Sequence, residues 1–243
     1  MAYYLMPPDQ KPASIAPSLL SYEPPNTNGS TNGIGASHAH PHIQPDNPTV
    51  VPSALLSRFH WTFLIRHPRN SIPSYHRCTV PPLAAVTGWS HYLPSEVGYG
   101  ELRRLFDYLR RVGVVGGSSS EEAVEVCVID ADDLLDDPAG VIQRYCESVG
   151  VEFSPEMLRW GGKEGGSRGV AEEKFRKWKG WHEDAIHSTD LKPRAHKKSP
   201  KSDDELYAEW VDKFGEEGAK VIKKTVDENV ADYEYLKQFA MKV

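Results

Sequence analysis

The sequence predicts an α/β fold in which helices flank a parallel β-sheet. Two apolar runs, "HWTFLIR" at residues 60–66 and "AVEVCVID" at residues 123–130, are typical of strands buried on both faces of such a sheet. Amphipathic helical stretches alternate with these runs, and that alternation is typical of α/β proteins. Because only two strands are evident, the predicted sheet is incomplete.

The first part of the chain differs from the rest in composition. Residues 1–56 are rich in Pro, Gly, Asn and Ser, with few large apolar side chains to offset the entropy of ordering. We therefore predict a largely flexible segment over 1–56 and an α/β domain over 57–243 that is incomplete at its N-terminal side. The alternating histidines of "SHAHPH" are interpreted as a solvated loop and not as a metal site.

Two helices are predicted from periodicity and capping residues. "GYGELRRLFDYLRRVG" carries an apolar face that ends before a C-cap at Gly113; its members are Leu102, Leu105, Phe106, Leu109 and Val112. "DDPAGVIQRYCESVG" begins with an N-cap at Asp137 and a proline at the first helical position, Pro138, and ends before Gly150. A short helical turn is expected from Ser154.

The C-terminal third contains a basic stretch and an amphipathic tail. "GGKEGGSRG", residues 161–169, is predicted to be a loop, and residues 170–188 a strongly basic helix. From residue 203 onward two amphipathic helical stretches follow each other, with a bend expected at Gly215 and Gly218.

Composition excludes several function classes. The formal net charge of −6 gives no general attraction to nucleic acid or to anionic membranes, so any anion site is local. The three cysteines have neither disulfide nor metal-site spacing and are interpreted as reduced thiols. There is no signal peptide and no membrane span, so we expect a cytoplasmic protein. Assembly with further copies of the chain is left open.

The first run ends in a candidate anion site. Arg66 follows the predicted strand, at the edge of a parallel sheet where ligands bind, and a helix beginning near Pro68 would direct its free N–H groups and positive dipole end there. Ser74 lies two turns into that helix, and Pro73 offers a kink that tilts it inward. The alternative is a structural salt bridge for Arg66, and the residues alone leave both interpretations open.

Two segments resemble the P-loop sulfotransferases. "LIRHPRNSIPSYHR" is similar to the family's segment in which a strand-end Arg, a Pro two residues later and a Ser eight residues later hold the 3′-phosphate of the sulfonate donor PAPS. Arg66, Pro68 and Ser74 have that spacing. "VCVIDADDLLDDPAGVIQRYCESVGVEFSPEML" resembles the strand and helix that follow in the family. The resemblance implies part of a three-layer P-loop fold, with PAPS or its product PAP as the nucleotide.

The resemblance also suggests further site residues. "GGSRGVAEEKFRKWKGW" is a candidate for the family's basic loop at the 3′-phosphate, with Arg168, Lys174, Arg176 and Lys177 as candidate binding residues; the alternative is a solvated basic helix face. His42 is the candidate catalytic base, because it precedes Arg66 by about the family's interval. Trp178 and Trp181 are candidates for stacking on an adenine or an aromatic acceptor, or for packing. The acidic run 130–137 is interpreted as a strand end followed by an N-cap, and no metal is predicted.

One part of the family pattern is absent from the sequence. No strand leads through a glycine-rich loop into a helix, which is the arrangement that grips the 5′-phosphosulfate. We therefore expect an N-terminally truncated sulfotransferase-like domain and leave enzymatic activity undecided. Sulfonyl transfer from PAPS to a hydroxyl or amine is one hypothesis. A non-catalytic nucleotide-binding or protein-interaction remnant is the other, and a nucleotide-kinase-like relative is less favoured because it needs a phosphate loop as well.

Overall fold

A computed structural model describes residues 5–6, 44, 46–116, 126–160, 166–195 and 201–243, without the side chains of residues 166–169 and 171. The strands are β1 (Thr62–Ile65) and β2 (Cys127–Asp130). The α-helices are α1 (Ser53–Leu56), α2 (Pro68–Cys78), α3 (Ala84–Thr87), α4 (Tyr99–Arg111), α5 (Ala131–Asp136), α6 (Pro138–Val149), α7 (Gly166–Phe175), α8 (Glu183–His187) and α9 (Asp203–Lys237). Short 3₁₀ helices span Pro94–Glu96, Pro155–Leu158 and Arg176–Trp178.

The chain divides into two compact units. One comprises Met1–Phe63 and Gly98–Val126, and the other comprises Leu64–Val97 and Cys127–Val243. The boundary therefore falls within β1. The predicted boundary between residues 56 and 57 stays a prediction.

The first unit is organised around α4. Leu105, Phe106 and Leu109 are buried on the face that the helical periodicity predicts, and the ring of Phe106 meets that of Phe63 edge-on at 5.1 Å. Gly113 has the left-handed φ expected after a helix end. The predicted burial of Val112 is wrong: α4 ends at Arg111, and the Val112 side chain is exposed beyond it.

Two polar side chains of a turn in the same unit, Asn47 and Thr49, are buried and hydrogen-bond to each other at 2.9 Å. The Asn47 side chain donates to the carbonyl of Val51 at 2.8 Å and accepts from the Thr49 amide at 2.9 Å. Both polar side chains thus have hydrogen-bond partners, which removes most of the cost of burying them. This turn lies within the segment predicted to be largely flexible, and its hydrogen bonds order that short part of it.

The second unit contains β2 and the end of β1. β2 pairs with β1 in parallel, and the extension after α9 adds a single parallel bridge between Ala240 and Val128. β2 is buried throughout, as predicted. The prediction for β1 is wrong on one face, because Leu64 is 63% exposed whereas Ile65 is buried. Among the described residues, nothing covers the Leu64 side of the strand.

Helices α2 and α9 of the second unit pack against each other. Residues of α2 and α9 form one buried apolar cluster: Ile72, Trp210, Ala219, Ile222 and Val226. A second cluster joins β2 to α6 through Cys127, Ile129 and Val141. The predicted capping of α6 is confirmed, with Asp137 accepting from the Gly140 amide at 3.0 Å and Gly150 in the left-handed region.

The C-terminal elements are partly as predicted. The bend in α9 occurs at Gly215, whose φ of 73° is outside the helical range. The predicted loop over 161–169 is helical from Gly166 onward. The predicted single helix over 170–188 is interrupted: α7 ends at Phe175, and a 3₁₀ turn and Gly180, with a φ of 84°, precede α8.

Candidate functional site

The candidate site lies at the carboxyl ends of the two parallel strands. β1 ends at Ile65 and is followed by Arg66, and β2 ends at Asp130. Helix α2 begins at Pro68, and helix α5 begins directly at Ala131. Ligands of open α/β sheets bind at this edge, where strands end and helices begin.

The first backbone N–H groups of α2 already have hydrogen-bond acceptors within the helix start. Pro68 has no N–H, and the Arg69 amide donates to the Nδ1 atom of His67 at 3.1 Å. The amides of Asn70 and Ser71 both donate to the His67 carbonyl, at 2.8 and 3.1 Å. The expectation of free N–H groups at this helix start is therefore wrong for its first turn. Only side chains and the helix dipole would therefore be available to an anion at this helix start.

His67 is thus the N-cap of α2. Burial lowers the pKa of its ring, and the charge of Arg69 lowers it further. A lowered pKa favours the neutral ring, which is the form that accepts a hydrogen bond at Nδ1. The ring also lies 4.7 Å from that of Tyr233, and its Nε2 atom is 3.9 Å from a carboxylate oxygen of Glu234.

The carboxylate at the end of β2 is buried and fully engaged. One oxygen of Asp130 accepts from the amides of Asp132 and Asp133, at 2.7 and 3.3 Å, and so caps α5. The other oxygen accepts from the Tyr233 hydroxyl at 2.7 Å and lies 3.2 Å from the Lys237 ammonium. Lys237 also donates to Asp133 at 2.6 Å. Helix α9 is therefore fastened to the end of β2.

A second cation binds the remaining carboxylates of this edge. The Arg194 guanidinium donates to the Asp132 carbonyl at 2.6 Å, to the Asp132 carboxylate at 3.3 Å and to Asp136. The side-chain amide of Asn70 donates to the same Asp132 carboxylate at 3.1 Å and links α2 to α5. The acidic run thus caps a helix and pairs with the basic side chains of Arg194 and Lys237. Its role at the strand end and as an N-cap agrees with the interpretation from the sequence.

Sequence reasoning missed Asn70, Arg194, Tyr233 and Lys237 as members of this edge. Tyr233 and Lys237 are four residues apart on α9 and so share a helix face, a polar pair at the end of an apolar stripe. That spacing was a usable signal. Arg194 lies outside the helices and strands, and nothing in its sequence neighbourhood indicates its partners.

The predicted site residues fall on two separate segments. Arg66 and Ser74 are both half-buried and lie on the continuous β1–α2 segment, with Ser74 about 9 Å along the helix axis from Pro68. Lys174 is exposed near the end of α7. Arg168 lies in α7, but its side chain is outside the described residues, as is the whole of His42.

The two candidate tryptophans differ in environment. The Trp181 ring stacks on Tyr75 at 5.8 Å and meets Trp89 edge-on at 5.7 Å. Trp178 is 43% exposed. Trp181 therefore packs within the second unit, as the packing alternative predicts, whereas Trp178 contributes to the surface.

An open cleft on α9 is a less suitable ligand site. It has a volume of about 600 Å³ and lies between the two arms of the bent helix. Lys220, Lys223 and Lys224 line it, but each lies within 4 Å of a carboxylate of the same helix. Intrahelical partners of this kind neutralise the cleft and leave little net attraction for an anion.

Comparisons with known proteins identify related sequences. A family model described as a sulfotransferase domain matches residues 111–206, a region with β2 and Arg194 but without Arg66 and Ser74. The sulfotransferase ppzF of Metarhizium majus is 27% identical over 193 residues, which are 79% of this chain and 55% of that protein. The corresponding protein of Metarhizium rileyi is 26% identical over the same shares.

A second group of relatives carries a different name. The branched-chain-amino-acid aminotransferase-like protein 1 of Arabidopsis thaliana is 29% identical over 119 residues, 49% of this chain and 18% of that protein. The chain thus spans about half the length of the fungal relatives and less than a fifth of the plant one. No solved structure matches the chain. Among the helices of the described residues, none has the combination of length and apolar character that a membrane span requires.

Proposed function

Because these matches support a sulfotransferase family for the chain, we propose that it is a sulfotransferase-like protein whose β1–α2 segment binds the 3′-phosphate of PAPS or PAP. The observation that carries the proposal is the position of Arg66, directly after β1 and separated by one residue from the N-terminal, positive end of α2 at Pro68. On this proposal the sheet is part of a three-layer P-loop-like fold.

Each residue of the proposed site has a separate role. The Arg66 guanidinium offers a planar, permanently charged set of donors that matches phosphate oxygens. Ser74 offers a hydroxyl donor from the second turn of α2. Lys174 and Arg168 are proposed to add positive charge from α7. The acidic edge formed by Asp130, Asp132, Asp133 and Asp136 carries its own cations, which limits its repulsion of a phosphate.

The residues fit one end of the nucleotide better than the other. In the described parts of the chain, β1 leads into α2 through Arg66 and His67, and β2 leads directly into α5. Neither junction contains the glycine-rich loop that grips a 5′-phosphosulfate. PAPS would supply the sulfonyl group that is transferred to an acceptor hydroxyl or amine. The chain's own contribution that we propose is binding and orienting the 3′-phosphate, and His42 stays the candidate base.

The second candidate function is nucleotide or protein binding without catalysis. The β1–α2 and β2–α5 junctions favour it, because neither of them has the glycine-rich loop that would hold the 5′-phosphosulfate of the donor. A sulfotransferase and a nucleotide-binding remnant both predict binding of the 3′-phosphorylated nucleotide, whereas a protein-interaction remnant predicts none. Only the sulfotransferase predicts turnover.

Calorimetric titration with 3′,5′-adenosine bisphosphate tests the proposed site. We expect Arg66→Ala and Arg66→Lys to weaken binding by about 10- to 100-fold, because charged hydrogen bonds are lost or misplaced, and Ser74→Ala by about 2- to 10-fold. Arg77→Ala is the matched control, an exposed arginine in the same helix. 5′-AMP should bind much more weakly, since it lacks the 3′-phosphate.

The outcomes separate the candidates. Binding that survives both Arg66 substitutions and Ser74→Ala would refute the assigned residues. Absence of binding by the unmodified chain would refute the nucleotide site itself. Retained binding without release of PAP from PAPS, in the presence of phenolic and amine acceptors, would favour the non-catalytic alternative.

A further inference from the structure

We propose that the His76 ring is a pH-sensitive switch at the bend in α9, and that its protonation releases the part of this helix that precedes Gly215. We call residues 203–214 the first arm and residues 216–237 the second arm of α9. Gly215 separates them, with a φ of 73° and a ψ of 170°, a conformation that is essentially restricted to glycine. The proposal uses none of the residues that are proposed to bind the nucleotide.

The His76 ring lies where the two arms meet. Its centroid is 4.9 Å from that of Phe214, the last residue of the first arm, and the two rings meet edge-on. From the second arm, Gly218 approaches so closely that an added Cβ would lie 3.4 Å from the Cε1 atom of His76. The ring therefore contacts the helix on both sides of the bend.

The same face of α2 packs on both arms. Ile72 lies four residues before His76 and so shares its helix face. It belongs to one buried cluster with Trp210 of the first arm and with Ala219 and Ile222 of the second. Side chains of α2 thus fill the angle between the arms, and of the pair Ile72 and His76 only the histidine can take up a charge.

The position suits the neutral ring and not the imidazolium ion. His76 is 6% exposed, and in the described part of the chain its Nδ1 atom has no hydrogen-bond partner. In the neutral ring one nitrogen carries no proton, whereas both nitrogens of the imidazolium carry an N–H that needs an acceptor. Burial lowers the pKa of His76 below its ordinary value of 6.5. Protonation is therefore less favourable in the closed bend than in water.

The groups around the ring do not offset this cost. From α9 the ring meets Phe214 and Gly218, which do not titrate. Tyr92, between α3 and α4 along the chain, has its ring centroid 5.1 Å away, and burial raises the pKa of its hydroxyl, so it stays uncharged at acidic pH. On α2 itself the adjacent Arg77 is exposed and positive. Among the described residues, no carboxylate forms an ion pair with the His76 ring.

The two arms are not held equally. The second arm is fastened to the end of β2, because Tyr233 and Lys237 both contact the buried carboxylate of Asp130. Apart from the apolar cluster, the first arm is held at its start by an ion pair between Arg69 and the exposed Asp203. Exposed ion pairs contribute little to stability. When the ring is protonated, we therefore expect the first arm to separate from α2 and the second arm to stay.

Limited proteolysis with a glutamate-specific protease, at about pH 7.5 and about pH 5.5, tests the proposal. Cleavage after Glu216 and Glu217, next to the bend, should be about tenfold faster at the lower pH. In the open bend the ring has its ordinary pKa of 6.5, so one pH unit below this value protonation favours the open form about tenfold. Rates are taken relative to cleavage after Glu152, an exposed residue between helices, which corrects for the pH dependence of the protease. Cleavage after Glu234, in the second arm, should not change.

Two substitutions of His76 and one control isolate the ring. His76→Gln and His76→Phe cannot gain a charge, so the relative cleavage rate at the bend should be the same at both pH values. The phenylalanine keeps an aromatic ring against Phe214, so the test does not depend on the folding of the glutamine variant. His187→Gln changes an exposed histidine of the same unit and should retain the tenfold response.

Three results would overturn the proposal: a relative cleavage rate of the unmodified chain that does not change with pH, an equal pH response in His76→Phe, or an acceleration after Glu234 as large as that at the bend. The last result would show that the whole unit unfolds at acidic pH. The nucleotide titration above uses different residues, so failure of either proposal is distinguishable from failure of the other.

Discussion

Removing the hydroxyl of Tyr233 tests whether the buried carboxylate at the end of β2 is held as the structure indicates. In Tyr233→Phe the ring remains, and only the hydrogen bond of 2.7 Å to Asp130 is lost. Asp130 is 2% exposed and Tyr233 5%, so water does not readily replace the missing donor. Burial, followed by the hydrogen bond to Asp130, raises the pKa of the Tyr233 hydroxyl, which therefore stays a donor at neutral pH.

The magnitude follows from the kind of bond. A hydrogen bond to a charged group contributes about 1.5–3 kcal/mol to the free energy of unfolding. Two backbone amides and Lys237 still contact Asp130 in the variant, so its carboxylate keeps other donors. For a domain of this size we expect the melting temperature to fall by about 3–12 °C.

Urea denaturation followed by circular dichroism measures the change. Tyr207→Phe is the matched control. The Tyr207 hydroxyl donates a hydrogen bond of similar length, 2.8 Å, to the Glu216 carboxylate, but at an exposed position. The control should change the free energy of unfolding much less. Equal changes in the two variants would refute the idea that burial makes the Asp130 bond important.

Two further predictions concern the histidines and the helix caps. Burial lowers the pKa of His76 and His67 below the ordinary value of 6.5, so the unfolded chain binds more protons than the folded one at acidic pH. The free energy of unfolding should therefore be full above pH 6.5 and decline below it. In urea denaturation repeated across about pH 5–7.5, His76→Gln should flatten this decline, and an unchanged pH profile would contradict the prediction. Asp137→Ala removes the cap of α6 and should lower the free energy of unfolding by about 0.5–2 kcal/mol, whereas Asp137→Asn, which keeps an acceptor, should cost clearly less in the same assay.

Much of the local structure was predictable because its causes are local. The N-cap at Asp137, the proline at the first helical position and the left-handed Gly150 set the ends of α6 without any distant contact. Gly215 bends α9 for the same reason. The break after Phe175 was less accessible, because "FRKWKGWHED" has no proline and its glycine, Gly180, comes five residues after the end of α7.

The candidate site was predictable only in part. The position of Arg66 at the end of β1 follows from the strand pattern and is confirmed. That the Arg69 amide is already taken by the His67 ring could not be read from the sequence. A histidine at this position caps the helix only in a particular rotamer, which tertiary packing against Tyr233 helps to set. The roles of Ser74, Arg168, Lys174 and His42 stay predictions.

The sequence by itself determined the two ends of α6, the bend of α9 and the apolar face of α4 up to Leu109, and that a cation-bearing segment follows the first strand. The tertiary structure alone decided the polar partners: Arg194 reaches Asp132 across 62 residues, and Lys237 reaches Asp133 across 104. It also left Leu64 exposed in a strand whose composition predicts burial. Helix ends follow from neighbours within one turn, whereas these contacts depend on which elements lie side by side, and that is fixed only when the whole unit packs.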